Sequence, residues 1–113
     1  MSEFVEYLEE VFEEFGTIRA RSMFGGHGIY YNDIMFGLLA DNVLYLKADA
    51  ESAVLFEDLG LGPFQYIKNG KSMNMSYFMA PADIYEDPSE AKVWAGHAYE
   101  AAVRSRKPTS KSK

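Results

Sequence analysis

Gly25-Gly26-His27-Gly28 is the stretch of this sequence closest in type to a ligand loop, because successive glycine N–H groups can wrap an anion such as phosphate. Phosphate loops, however, join a strand to a helix whose N-terminus holds the anion. Here the following residues, Ile29-Tyr30-Tyr31, read as strand, and no Gly-Lys-Ser/Thr is present. The glycines are therefore expected to form a bulge or close backbone approach within a bent strand. The only histidines are His27 and His97, and there is no cysteine. Glu100, three residues after His97, is the nearest approach to ligand spacing, and two protein ligands seldom hold a transition metal. His27 has no nucleophile or carboxylate at catalytic spacing, and Ser22 and Ser76 lack the context of a nucleophile elbow. Neither an enzyme, a metal site nor a cofactor is expected.

The remaining chemistry lies in alternating cations and aromatics: Arg19 and Arg21, Tyr45 and Lys47, Tyr66 and Lys68. Period-two spacing puts each pair on one face of a strand, whereas Ile18, Ala20, Ser22, Leu44, Leu46, Ile67, Met73, Met75 and Tyr77 are expected on the other, core-facing side. Asn74 and Ser76 join the cationic face. Such a surface suits a protein partner, a transcription factor or a second copy of the chain. The alternative is single-stranded nucleic acid, with bases stacked on tyrosines over a basic platform. No ordered aromatic run of the kind that marks RNA-recognition sheets is present.

The elements that must position these residues follow from periodicity. Phe4, Val5, Leu8, Val11, Phe12 and Phe15 recur at helical spacing with glutamates between them, which predicts an amphipathic helix from Ser2 to Phe15, capped by Ser2 and ended by Gly16. Short apolar runs then alternate with Asn32-Asp33, Asp41-Asn42 and Asn69-Gly70, dipeptides that tolerate the positive φ of tight hairpins. Strands are expected at 17–31, 34–40, 43–48, 63–68 and 72–79, with a short helix over 50–58 capped by Asp49 and closed by Gly60. Strand 34–39 is apolar on both faces, so its outer side should also be covered. Asp87-Pro88-Ser89-Glu90 opens a last helix over 88–105, where Trp94 joins Ala91, Ala95, Ala98 and Ala102 in a packing stripe. The methionines are expected in the core. The predicted fold class is α+β: two layers, a bent, mostly antiparallel five-stranded sheet with helices, in the order α-β-β-β-α-β-β-α.

At 113 residues and 48% hydrophobic content, one domain with a sizeable core is expected, over 1–106, followed by a solvated basic tail at 107–113. The net charge of −6 is unevenly spread. Five of the eleven Lys and Arg lie in the last ten residues, so residues 1–103 hold six cations against seventeen acids, a charge of −11. A body this acidic is a poor duplex-binding surface, since DNA affinity comes from cations that displace phosphate counterions. The acidic N-terminus lacks the basic start of a signal peptide, no apolar run approaches membrane-spanning length, and the cytoplasm is the expected location.

Taken together, Arg21-Ser22-Met23-Phe24-Gly25-Gly26-His27-Gly28-Ile29-Tyr30, Met35-Phe36-Gly37-Leu38, Asp41-Asn42-Val43-Leu44-Tyr45-Leu46-Lys47, Pro63-Phe64 and Met75-Ser76-Tyr77-Phe78 resemble the N-terminal domain of the TfoX (Sxy) family. The likeness runs from about residue 10 to residue 105. It implies a bacterial protein with a bent antiparallel sheet and packed helices, similar to secretion-chaperone folds, and it brings no catalytic residues. Full-length members are regulators of natural competence, thought to act as co-activators beside the cyclic-AMP receptor protein. They carry a helical C-terminal domain that this chain does not include. His27 stands where the family more often has Tyr or Phe, so the resemblance gives its imidazole no role.

Overall fold

Three two-residue turns set the register of the sheet in the computed structural model, which describes residues 3–23 and 26–106. Asn32 and Asp33, Asp41 and Asn42, and Asn69 and Gly70 all have positive φ, between 52° and 79°, as the mirror-image hairpin turns require. They link β2 (Gly26–Tyr31) to β3 (Ile34–Ala40), β3 to β4 (Val43–Lys47), and β5 (Pro63–Lys68) to β6 (Lys71–Met79). The single bent strand expected over 17–31 is instead two. Here β1 (Arg19–Met23) pairs antiparallel with β2, Met23 lying opposite Gly26, so the chain reverses at the glycines rather than kinking there. Phe24 and Gly25 themselves lie outside the described residues, as do Ser2, the expected cap of the first helix, and the tail at 107–113. The antiparallel sheet therefore has six strands, in the order β1-β2-β3-β4-β6-β5.

Helices α1 (Glu3–Val11), α2 (Ala53–Glu57) and α3 (Pro88–Arg106), with a 3-10 turn at Ala82–Tyr85, complete the α+β fold. The turn was not foreseen in the periodicity, and α1 is shorter than expected because the chain tightens after Val11 towards Gly16, whose N–H bonds to the Phe12 carbonyl. Helix α2 is shorter than the expected 50–58 and has Ser52, not Asp49, at its N-cap. Asp49 instead closes the turn before it, its carboxylate accepting the Ser52 N–H at 3.0 Å while Ser52 Oγ accepts the Asp49 N–H at 3.0 Å. Asp87 accepts the Ser89 N–H at 2.9 Å and opens α3.

Only one face of the sheet carries the main core. Phe12, Phe36 and Phe56 are fully buried there with Leu8, Ile29, Leu44, Leu46 and Ile84. Phe36 meets Phe12 and Phe15 with ring centroids at 5.7 and 5.4 Å, and Phe56 meets Phe78 at 5.5 Å and Trp94 at 5.0 Å. The alanine stripe of α3, Ala91, Ala95, Ala98 and Ala102, is buried as expected and brings the helix close to the sheet.

Phe36 reaches this core through a break in the ladder. Ile29 pairs with Gly37 but Tyr30 pairs with Met35, so Phe36 is an extra residue on β3. Such a bulge turns two consecutive residues to nearly the same side, and Gly37, which has no side chain, leaves room beside the ring. A Cβ at Gly37 would stand 3.3 Å from Ile29 Cβ.

The C-terminal end of α3 is clasped to the corner after β4: Arg104 Nε donates to Asp49 Oδ2 at 2.6 Å and its Nη2 to Oδ1 at 3.1 Å. The Arg104 guanidinium and the Ser52 donors hold the Asp49 carboxyl well below the usual carboxylate range.

Two measurements probe this framework. Phe36→Ala is expected to cost about 3–5 kcal/mol, a large part of a small domain's stability, whereas Leu55→Ala, on a half-exposed position, stays within about 0.5 kcal/mol in urea unfolding. The second concerns pH. Folding lowers the Asp49 pKa, so the clasp contributes fully above the ordinary carboxylate value of ~3.9 and is lost as pH falls through the lower folded value. The stability gap between wild type and Arg104→Ala should therefore be constant from neutral pH down to about the ordinary carboxylate value, narrow progressively below it and be closed beneath the folded value. Urea midpoints measured across the acid range would show this; a gap independent of pH down to strong acid would remove Asp49 as the clasp's partner.

Candidate functional site

Cross-strand partners in an antiparallel sheet share a face, so the register alone assembles the surface opposite the helices. Arg21 lies opposite Gly28, Gly28 opposite Leu38, Leu38 opposite Tyr45, and Tyr45 opposite Met79, one unbroken row across five strands. A parallel row runs from Arg19 to Tyr30 to Met35, and Lys47 faces Tyr77. Arg19, Arg21, Tyr45 and Lys47, the cationic and aromatic residues expected on this face, are thus brought together. Tyr66 and Lys68 sit on β5, but their side chains lie outside the described part of the structure.

Tyr77 was expected in the core and is corrected to this outer face, because Phe78, its neighbour, takes the inward place opposite Leu46 and stacks on Phe56. The same shift carries Met75 with Tyr77, so Ser76 falls on the helix-side parity of β6, while the side chains of Met73 and Asn74 lie outside the described part of the structure. Ile67 has that parity too, yet it is 71% exposed because its strand runs past the helices, and Ser22 is exposed near the end of edge strand β1. The methionines also depart from expectation. Met23, Met35 and Met79 lie on the outer face rather than in the helix-side core.

This face has a small apolar floor of its own. Leu38 and Tyr77 are buried although they stand outside the continuous helix-side cluster. Gly28 is what makes the floor possible: a Cβ there would meet Met23 Sδ, the Tyr30 ring and Met35 Sδ, the side chains that close over it. The outer side of strand 34–40 is thus covered largely by its neighbours in the sheet. Cations stand on the rings around the floor, with Arg21 Cζ 5.7 Å from the Tyr30 centroid and Lys47 Nζ 5.1 Å from that of Tyr77. Phe64 meets Tyr45 edge-on at 5.0 Å.

Lys47 also donates to Ser76 Oγ. Partial burial lowers its pKa, an effect that the nearby Asp49 carboxylate opposes. Burial, with Tyr30 close by, pushes the Tyr77 hydroxyl up to about 12. Between this pair and the end of α3 opens a shallow cleft of about 380 Å³, lined by Asp33, Met35, Lys47, Tyr77, Ala102 and Ser105. Its chemistry is that of a recess able to seat and orient one polar group.

The histidines are on separate elements. His27 is half-buried on β2 opposite Ser22 and Leu39, while His97 packs edge-on to Trp94 at 5.8 Å on α3. Among the described residues no three His, Cys, Asp or Glu side chains are grouped to hold a metal, and no helix is long and apolar enough to cross a membrane. Tyr30, Met35 and Tyr77 complete the outer face and were not singled out for it from sequence. Alternation along the chain from Arg21 would have put Tyr30 on the core side, so each of the three needs a strand pairing: Tyr30 that of β1 with β2, Met35 that of β2 with β3, and Tyr77 that of β4 with β6.

Comparison with known proteins bears on the same residues. The DNA transformation protein TfoX1 of Aliivibrio fischeri (strain ATCC 700601 / ES114) is 37% identical over 78 residues, covering 66% of this chain and 37% of the relative. Protein Sxy of Escherichia coli (strain K12) is 24% identical over 98 residues, covering 87% of this chain and 47% of the relative. The chain therefore spans less than half the length of either. Residues 10–102, which include every strand and the outer face they build, match the TfoX N-terminal domain, and the chain belongs to that family.

Proposed function

We propose that this chain is a non-enzymatic regulatory module of the cytoplasm that binds another protein through the outer face of its sheet. The observation that carries the reading is the row Arg21–Gly28–Leu38–Tyr45–Met79, flanked by Arg19 and Lys47. Arg, Tyr, Phe and Met are the side chains enriched at the centres of protein interfaces, and acidic ones are depleted there. Here they share one face of a chain whose first 103 residues carry a charge of −11. The names of the relatives, a DNA transformation protein and Sxy, support a role in regulating competence; a transcription factor is the partner this reading expects.

Single-stranded nucleic acid is the weaker reading. The rings it would stack on are engaged: Tyr30 under Arg21, Tyr77 buried beneath Lys47, and Tyr45 against the edge of Phe64. The acidic body adds repulsion.

The test is affinity capture from the native bacterium with the wild type and with the double variant Arg21→Glu/Lys47→Glu, both checked for an unchanged circular dichroism spectrum. Proteins held by the wild type should be lost from the variant, and direct titration of a captured partner should show an affinity loss of about tenfold or more, ~1.4 kcal/mol. Identical sets of captured proteins would overturn the proposed surface. Binding of mixed single-stranded oligonucleotides at low salt, abolished by the same variant, would favour the nucleic-acid reading instead.

A further inference from the structure

The far half of the β5–β6 hairpin projects from the sheet. Strand β6 pairs with β4 only through Tyr77, Phe78 and Met79, with one more bond from the Ala48 N–H to the Ser76 carbonyl. Beyond that point Gln65–Lys68 and Lys71–Asn74 pair with each other, forming a two-stranded ribbon. A lone ribbon of this kind is marginally stable in water, because two strands bury too little.

Its outer edge is open in a definite place. Asn69 and Gly70 form a two-residue turn closed by the Lys68–Lys71 pair, which in this hairpin type exchanges both backbone hydrogen bonds. Alternation along the ladder then makes Ile67–Ser72 a pair without such bonds, so the Ile67 N–H and C=O point away from β6. The Ile67 side chain is 71% exposed, the most exposed large apolar group among the described residues.

The two edges of the sheet are guarded differently. Edge strand β1 bears Arg19 and Arg21, the kind of charge that blunts strand pairing. Edge strand β5 begins with Pro63 and then runs Phe64-Gln65-Tyr66-Ile67 without a charge. No Asp or Glu lies between Asp58 and Asp83, so Lys68 and Lys71 make the tip of the ribbon positive.

We infer that β5 is a self-pairing edge: two copies of the chain join antiparallel about a two-fold axis at Ile67, extending the sheet from one copy into the other. In this arrangement Ile67 exchanges both backbone hydrogen bonds with Ile67 of the second copy, and the two exposed side chains cover each other. Each basic tip runs back along the other copy's β5 towards the end of its α2, where Glu57 and Asp58 are exposed, so the charges are complementary. Like charges do not meet on the axis, because Lys68 falls level with Tyr66. The contact uses the edge of the sheet and leaves the outer face open.

Sedimentation velocity over a concentration series, together with cysteine pairing, tests this. The wild type should pass from monomer to dimer with concentration. Ile67→Pro removes an N–H that serves no bond within the chain and is tolerated at such an edge position, so it should stay monomeric at every concentration with an unchanged circular dichroism spectrum. The sequence has no cysteine, so Ile67→Cys supplies a direct probe. Hydrogen-bonded antiparallel partners have Cα atoms about 5.5 Å apart, within disulfide reach, and this variant should cross-link under mild oxidation while Leu59→Cys, at a position 56% exposed, should not. A wild type that is monomeric at all concentrations overturns the inference. So does a dimer that persists in Ile67→Pro, or one lost instead in Arg21→Glu/Lys47→Glu, which would move the contact to the sheet face.

Discussion

The molecule is organised around the step in the ladder at Phe36. Without this irregularity, strict alternation back from Leu38 would send the Phe36 ring to the outer face, turn Met35 inward and leave the helix-side core without its central aromatic. With it, one strand serves both sides of the sheet: Phe36 packs under α1, and Met35 and Leu38 line the opposite surface. Gly37 and Gly28 keep the two sides uncrowded: a Cβ at Gly37 would press on Ile29, and one at Gly28 on the Met23 and Met35 sulfurs and the Tyr30 ring. Two small residues, nine positions apart in the chain, thus leave room for the side chains beside them on the two faces.

Much of this was legible in the sequence wherever a local rule is enforced by sterics. The three dipeptide turns demand positive φ, and residues that accept it mark hairpins unambiguously; the cap at Asp87 follows from donors that must be satisfied at the start of a helix. The first hairpin was read as a bend because a kinked strand and a reversed one share the same local composition around Gly25-Gly26, and only the pairing of Arg19 with Tyr30 separates them. The inward side of β6 was misread for a related reason. Met73, Met75, Tyr77, Phe78 and Met79 offer apolar residues at both parities, and the choice is made by Phe56, which lies far away in sequence and stacks on Phe78.

The candidate site divides in the same manner. Arg19, Arg21, Tyr45 and Lys47 were found because each strand alternates by itself. What they stand on, Tyr30 and Tyr77 beneath the cations and Leu38 beneath the row, depends on which strand lies beside which. The electrostatics of the pair Lys47 and Tyr77 likewise exist only once β4 and β6 are adjacent, since burial by the surrounding sheet shifts both groups away from their ordinary titration.

The clasp between Arg104 and Asp49 has a mechanical meaning beyond its energy. It immobilises the last turns of α3 beside the recess that Ser105 and Ala102 share with Lys47 and Tyr77. One wall of that recess, the last turn of α3, is thereby braced against the corner that follows β4, the strand whose Lys47 forms the opposite wall.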